Sequence, residues 1–174
     1  LGKYTKKYIN LKTDKYTDEE KEAIAFNIIE YIQKRTKRGE GEGGNKWAPP
    51  ADKYTKEYKE SLDFKIAGKS SKVNLTLSGD MLDSISLLKS KRSSITIGIP
   101  DGDQDEAKAE GNIRGTYGKS RGNSKKARNF LALDGEEIDK ILKKFPIENE
   151  KKRKKNLAEY LTALKAVDEA LSEE

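Results

Sequence analysis

The sequence contains no cysteine and no histidine. Without cysteine there can be no disulfide, no thiolate zinc site and no thiol nucleophile. Without histidine the usual neutral-pH acid–base group is gone, together with most transition-metal sites. Any catalysis would have to rest on carboxylates, lysines or hydroxyls. Long apolar runs are missing too. No stretch approaches the roughly 18 consecutive apolar residues of a membrane helix, so no membrane is expected as a partner. The stretch LGKYTKKYINLKTDKYTDEE carries no apolar export segment and raises no expectation of export.

Charge is what the chain has in quantity. Charged residues make up 38% of the 174 positions and hydrophobic ones 33%, against a usual charged share of roughly 25%. That leaves material for one modest core and a good deal of solvated helix. The charge is uneven. Between Lys108 and Arg128 lie seven basic residues (Lys108, Arg114, Lys119, Arg121, Lys125, Lys126 and Arg128) against Glu110 alone, an excess equal to the +6 of the whole chain. Such a Gly-rich basic stretch reads either as a solvated loop or as a contact for nucleic acid or an acidic protein face.

The periodicity places the elements. Thr17 and Glu20 form a capping box, and Ile24, Ile28 and Ile32 make an apolar stripe, which predicts a helix from about residue 17 to 38. RGEGEGGNKWAPP breaks it, and Trp47, the only tryptophan, reads as a core anchor where the chain re-enters. Tyr54, Tyr58 and Leu62 suggest a short helix; Val73, Leu75 and Leu77 alternate like a strand; Met81, Leu82 and Ile85 suggest a brief helix after a turn. SISLLKSKRSSITIGIP predicts a hairpin over about 86–99 with KSKRSS as its loop. In KKARNFLALDGEEIDKIL, Phe130, Leu131 and Leu133 read as core residues and Asp134 with Glu137 as a second capping box, and Arg128 reads as a pin to a carboxylate or carbonyl. Leu157, Leu164 and Leu171 recur every seven residues with Leu161 between, giving a narrow seam that needs a partner. The expected organisation is an α+β core over 44–146 around a small antiparallel sheet, with amphipathic helical arms at 1–43 and 147–174.

Three patterns invite an enzymatic reading, and each lacks a part. Gly118-Lys119-Ser120 resembles the end of a phosphate-binding loop, but Ile113 stands where that motif needs glycine. Asp101, Asp103 and Asp105 match the first ligands of a calcium loop, yet Glu106 replaces its turn glycine and Asn112 its closing glutamate. Asp101, Glu106 and Lys108 are the residue types of a metal-dependent nuclease, with too few residues between them to come from two adjacent strands. The expectation is therefore no catalytic residue, no metal site and no cofactor, with a basic nucleic-acid-binding module or such a nuclease as the alternatives.

The order of features across the middle of the chain adds a resemblance. Trp47 follows a Gly-rich stretch, then come Ser78, Gly79, Asp80, Leu82, Ser84 and Ile85 before the SITIGIP strand, an Ala- and Gly-containing EAKAEGNIRGTYG, and finally Ala127, Arg128, Phe130 and Leu131. From about residue 44 to 145 this order resembles the phage virion morphogenesis (tail completion) family of tailed bacteriophages. Asn129 stands where that family often has proline. The resemblance implies a non-enzymatic virion protein of the neck, made in the bacterial host cytoplasm. Its subunits would form a ring, a hexamer in most such proteins, around the DNA channel. The implied partners are other copies of itself, the portal or head connector, tail-terminator or tail-tube proteins, and the DNA backbone. Trp47, Gly79, Arg128, Phe130 and Leu131 would then be structural or interface residues, joined by the leucine seam. Lys108, Arg114, Lys119, Arg121, Lys125 and Lys126 would meet DNA or an acidic partner.

Overall fold

The computed structural model describes residues 8–69, 71–76, 80–102, 104–116 and 126–146. The fold is α+β. A three-stranded antiparallel sheet in the order β1-β3-β2 is built from Tyr8–Lys12 (β1), Ser86–Lys91 (β2) and Ser94–Gly98 (β3). Around it lie the helices Asp18–Lys37 (α1), Lys56–Glu60 (α2), Leu62–Ile66 (α3), Asp80–Asp83 (α4), Gln104–Arg114 (α5) and Gly135–Leu142 (α6). The middle strand supplies the apolar floor, because its alternation buries Ile95 and Ile97 completely and Ile99 just beyond its end nearly so. The hairpin tip is tighter than the polar run suggests. Lys91 pairs with Ser94, so only Arg92 and Ser93 turn, and the polar residues on either side belong to the strands. Polarity here marks an edge strand rather than a loop. A bulge at Leu88 shifts the register between Leu87 and Lys89.

The helix expected as an N-terminal arm is instead the centre of the molecule. Ile24, Ile28 and Ile32 are at most 1% exposed and pack in one core with Ile95, Ile97, Leu82, Phe130 and Ile141. Burying each such side chain contributes about 1.5–3 kcal/mol, which a free arm would forgo. Its capping box is present, with Thr17 Oγ1 accepting from the Glu20 N–H and Glu20 Oε2 from that of Thr17. Just before it, β1 pairs with β3 from Tyr8↔Gly98 to Lys12↔Ser94. Residues 8–43 thus belong to the same body as the expected core. The leucine seam at Leu157, Leu164 and Leu171 lies outside the described residues.

Two local expectations change. Tyr54, Tyr58 and Leu62 do not share a helix: Ser61 adopts an extended conformation between α2 and α3, and its Oγ caps α3 by accepting from the Phe64 N–H. The phase shift buries Phe64 and leaves Leu62 71% exposed. Phe64 joins Tyr54 and Tyr58 in a triad with ring centroids 5.2–5.5 Å apart. Residues 73–76 are not a strand either, since Leu75 has φ +53° and breaks the alternation, though Val73 is buried in the core.

Candidate functional site

Arg128 joins three segments that are remote in sequence. Its Nε donates to the Ala51 carbonyl at 2.8 Å, one terminal nitrogen to Asn112 Oδ1 at 3.0 Å, and the other to the Lys53 carbonyl at 3.3 Å. The Arg128 backbone N–H also reaches the Asn112 carbonyl of α5 at 2.8 Å. The guanidinium lies 6.0 Å from the centre of the Tyr54 ring. Burial pulls its pKa below the ordinary arginine value, with Tyr54 and Asp52 opposing. The planar fork suits this task, since it addresses three acceptors in different directions at once. Immediately after it, Phe130 and Leu131 are at most 1% exposed in the core. Trp47 is 9% exposed in the same core, and Gly41 lies so close that a Cβ there would come within 2.9 Å of its indole nitrogen.

A second anchor is stronger, and sequence reasoning missed it. Arg35 is fully buried at the end of α1 and donates to both carboxylate oxygens of Glu137, at 2.7 and 2.9 Å. Its other terminal nitrogen donates to the carbonyls of Phe130 and Ala132 at 2.7 and 2.8 Å. Glu137 also accepts from Tyr31 Oη, the Gly43 N–H and the Asp134 N–H. Burial pushes its pKa up, but the hydrogen bonds from Arg35, Gly43 and Asp134 and the Arg35 charge outweigh this and hold it below the ordinary glutamate value. Gly43 has φ +67°, and a Cβ there would meet Asp134 Oδ2 at 2.7 Å, so the approach of its N–H to Glu137 needs glycine. The available signal was the stripe itself. Arg35 stands seven residues after Ile28, where α1 faces the core.

The expected basic stretch divides. Lys108 and Arg114 lie on α5 and are paired, Lys108 with Asp105 at 2.7 Å and Arg114 with Glu110 at 2.8 Å, so this part is a helix rather than a loop. Lys126 is half-buried. Lys119, Arg121 and Lys125 lie outside the described residues, as do Gly79 and Asp103 and the whole Gly118-Lys119-Ser120 pattern. Within the acidic run, Glu106 Oε2 accepts from the Gly102 N–H at 2.7 Å. Asp105, Glu106 and Lys108 are thus engaged in local contacts, and among the described residues no three carboxylates converge as a metal-holding group. An open cleft of about 420 Å³ between the start of α1 and the hairpin tip is lined by Asp18, Lys21, Glu22, Ser90, Lys91 and Arg92. Its charges are of mixed sign, and Lys21 is bound to Asp18 at 2.8 Å.

No protein-family model, curated protein or solved structure matches the chain. No helix among the described residues is long and apolar enough to cross a membrane.

Proposed function

We propose that the chain is a structural subunit of a phage neck or tail-completion ring, joining the head connector to the tail around the DNA channel and carrying out no catalysis. The observation that supports this reading most directly is the Arg128 anchor. The motif segments on which the resemblance rests are remote in sequence, and through Arg128 the last of them is bonded to the backbone following Trp47 and to α5. The brief helix α4, which carries Leu82 of the earlier segment, packs on α5 as well. A side chain spent on carbonyl acceptors serves rigidity, which suits a part that must keep its shape under assembly. The adjoining partners on this reading are copies of the chain itself, a portal or head-connector protein, and a tail-terminator or tail-tube protein.

The test is the mass of the assembled species, by sedimentation or light scattering, with an image at low resolution. The expected outcome is a closed ring, a hexamer, with a hole wide enough for duplex DNA. A chain that stays monomeric at virion-like concentration and binds no head or tail component overturns the reading.

A further inference from the structure

The register of the sheet sorts its side chains by face. Ile95 and Ile97 of β3 enter the core with Ile24 and Ile28 of α1, so Ser94 and Thr96 belong to the opposite face. Residues paired across antiparallel strands share a face. Ser94 is paired with Lys12 on one side and Lys91 on the other, and Thr96 with Asn10 and Lys89. The Thr96 hydroxyl donates to Asn10 Oδ1 at 2.6 Å, as two residues on one face can. Asn10, Lys12, Lys89 and Lys91 are all exposed. The outer face of the sheet thus holds three lysines among hydroxyl and amide groups. Among the described residues it carries no carboxylate, and none of its three lysines forms an ion pair. The helices differ, since there Lys34 pairs with Glu30, Lys56 with Glu60 and Arg114 with Glu110. At the hairpin tip Lys91 also borders the cleft lined by Asp18 and Glu22, and Asp18 is held by Lys21.

Strands about 4.8 Å apart put the Cα atoms of Lys12 and Lys91 about 10 Å from each other, and Lys89 lies about 7 Å along β2 from Lys91. Such charges repel one another within about a Debye length at physiological salt, and an anion laid across them relieves the repulsion. We propose that this face binds the phosphate backbone of duplex DNA, each of the three ammoniums meeting a different phosphate. A protein partner fits it poorly, because the centre of a protein–protein interface rests on apolar and aromatic anchors and is depleted of lysine. A single strand fits no better. Faces that bind single strands stack successive bases on aromatic rings. Tyr8, 47% exposed in the next row, is the only ring on this face among the described residues. A compact charge on a flexible stem suits phosphates, which position a duplex without reading its sequence. The site is separate from the basic stretch between Lys108 and Arg128, and it stands whether or not the subunits close into a ring.

The test titrates the full chain with a fluorescein-labelled duplex of roughly 20 base pairs between about 50 and 200 mM salt. Lys12→Ala, Lys89→Ala and Lys91→Ala together should lower the steepness of log K against log salt by about 2–3, at roughly 0.9 per phosphate contact. Lys34→Ala, Lys56→Ala and Arg114→Ala remove the same charge from cations that already have carboxylates, and should leave the slope nearly unchanged. Ser94→Glu sets a carboxylate between Lys12 and Lys91 and should weaken binding on the order of tenfold at low salt. The three lysines are exposed, so their replacement leaves the core intact, which unchanged circular dichroism verifies. No binding by the wild type, or equal slopes for the two triple variants, overturns the proposal. A single strand of the same length that binds more tightly than the duplex overturns it too, as does polyglutamate bound as tightly. A monomer that keeps the lysine-dependent slope leaves this inference standing and removes the ring, so the two failures are distinct.

Discussion

Arg35 occupies a position where the stripe of α1 would ordinarily carry another isoleucine. A buried guanidinium is tolerable only when its charge is met. Glu137 with the carbonyls of Phe130 and Ala132 engages both terminal nitrogens, while the buried Nε has no hydrogen-bond partner among the described residues. Glu137→Gln keeps the shape but leaves the arginine charge uncompensated, so a loss of about 3–5 kcal/mol is expected at neutral pH. The pH dependence follows from the depressed pKa. Above the ordinary glutamate value of 4.5 the contribution is fully present, and it is lost as pH falls through the lower folded-state value, where the folded carboxylate is finally protonated. Urea unfolding of both proteins from neutral pH down to about pH 3 should therefore show their difference narrowing on the acid side. A constant difference would mean that the charge of Glu137 is not what stabilises the pair. The sequence showed Glu137 as a capping-box residue, and it is one, since it accepts from the Asp134 N–H. Its partner across 102 positions leaves no local trace.

At the scale of elements, what could be read early was whatever repeats within a few residues. The stripe of Ile24, Ile28 and Ile32 announced α1, and Ile95, Ile97 and Ile99 announced β3. An amphipathic stripe does not say whose core it enters, however, and α1 enters its own. Strand β1 stayed hidden because YINLK offers only Ile9 and Leu11 as alternating apolar positions, and its partner strand lies more than eighty residues on. Arg128 is the point where elements meet, and its loss should uncouple them. Removing it leaves the Ala51 and Lys53 carbonyls and Asn112 Oδ1 without that donor, a cost of about 2–3 kcal/mol. Arg128→Lys should recover only a minor part, because one ammonium cannot address acceptors in three directions. Shifts of the urea midpoint at constant m value measure both. Full rescue by lysine would show that charge, rather than the fork, is what matters.

For the molecule as a whole, part of the excess of positive charge is committed within the fold. Of the seven basic residues between Lys108 and Arg128, the structure engages Lys108 and Arg114 in ion pairs along α5 and Arg128 in the anchor. A phosphate competing for Lys108 or Arg114 must first displace Asp105 or Glu110, whereas Arg128 is held by the fold. On the proposed reading, the expected contacts with DNA in the channel include Lys119, Arg121 and Lys125, which lie outside the described residues. Contacts of this kind release counterions, so the logarithm of the binding constant for duplex DNA should fall linearly with that of the salt concentration. Replacing Lys119, Arg121 and Lys125 with alanine should reduce the slope by about 0.9 for each phosphate contact removed. Replacing Lys108 and Arg114 should change it little, because the carboxylates beside them already offset their charge. Both sets of slopes can be measured by fluorescence anisotropy between low and physiological salt, with two unrelated duplex sequences giving the same values. A slope that depends on Lys108 and Arg114 and ignores the other three would place the nucleic-acid face on α5. Binding that differs strongly between the two duplexes would favour a sequence-reading module over a channel lining, since phosphate contacts carry no sequence information.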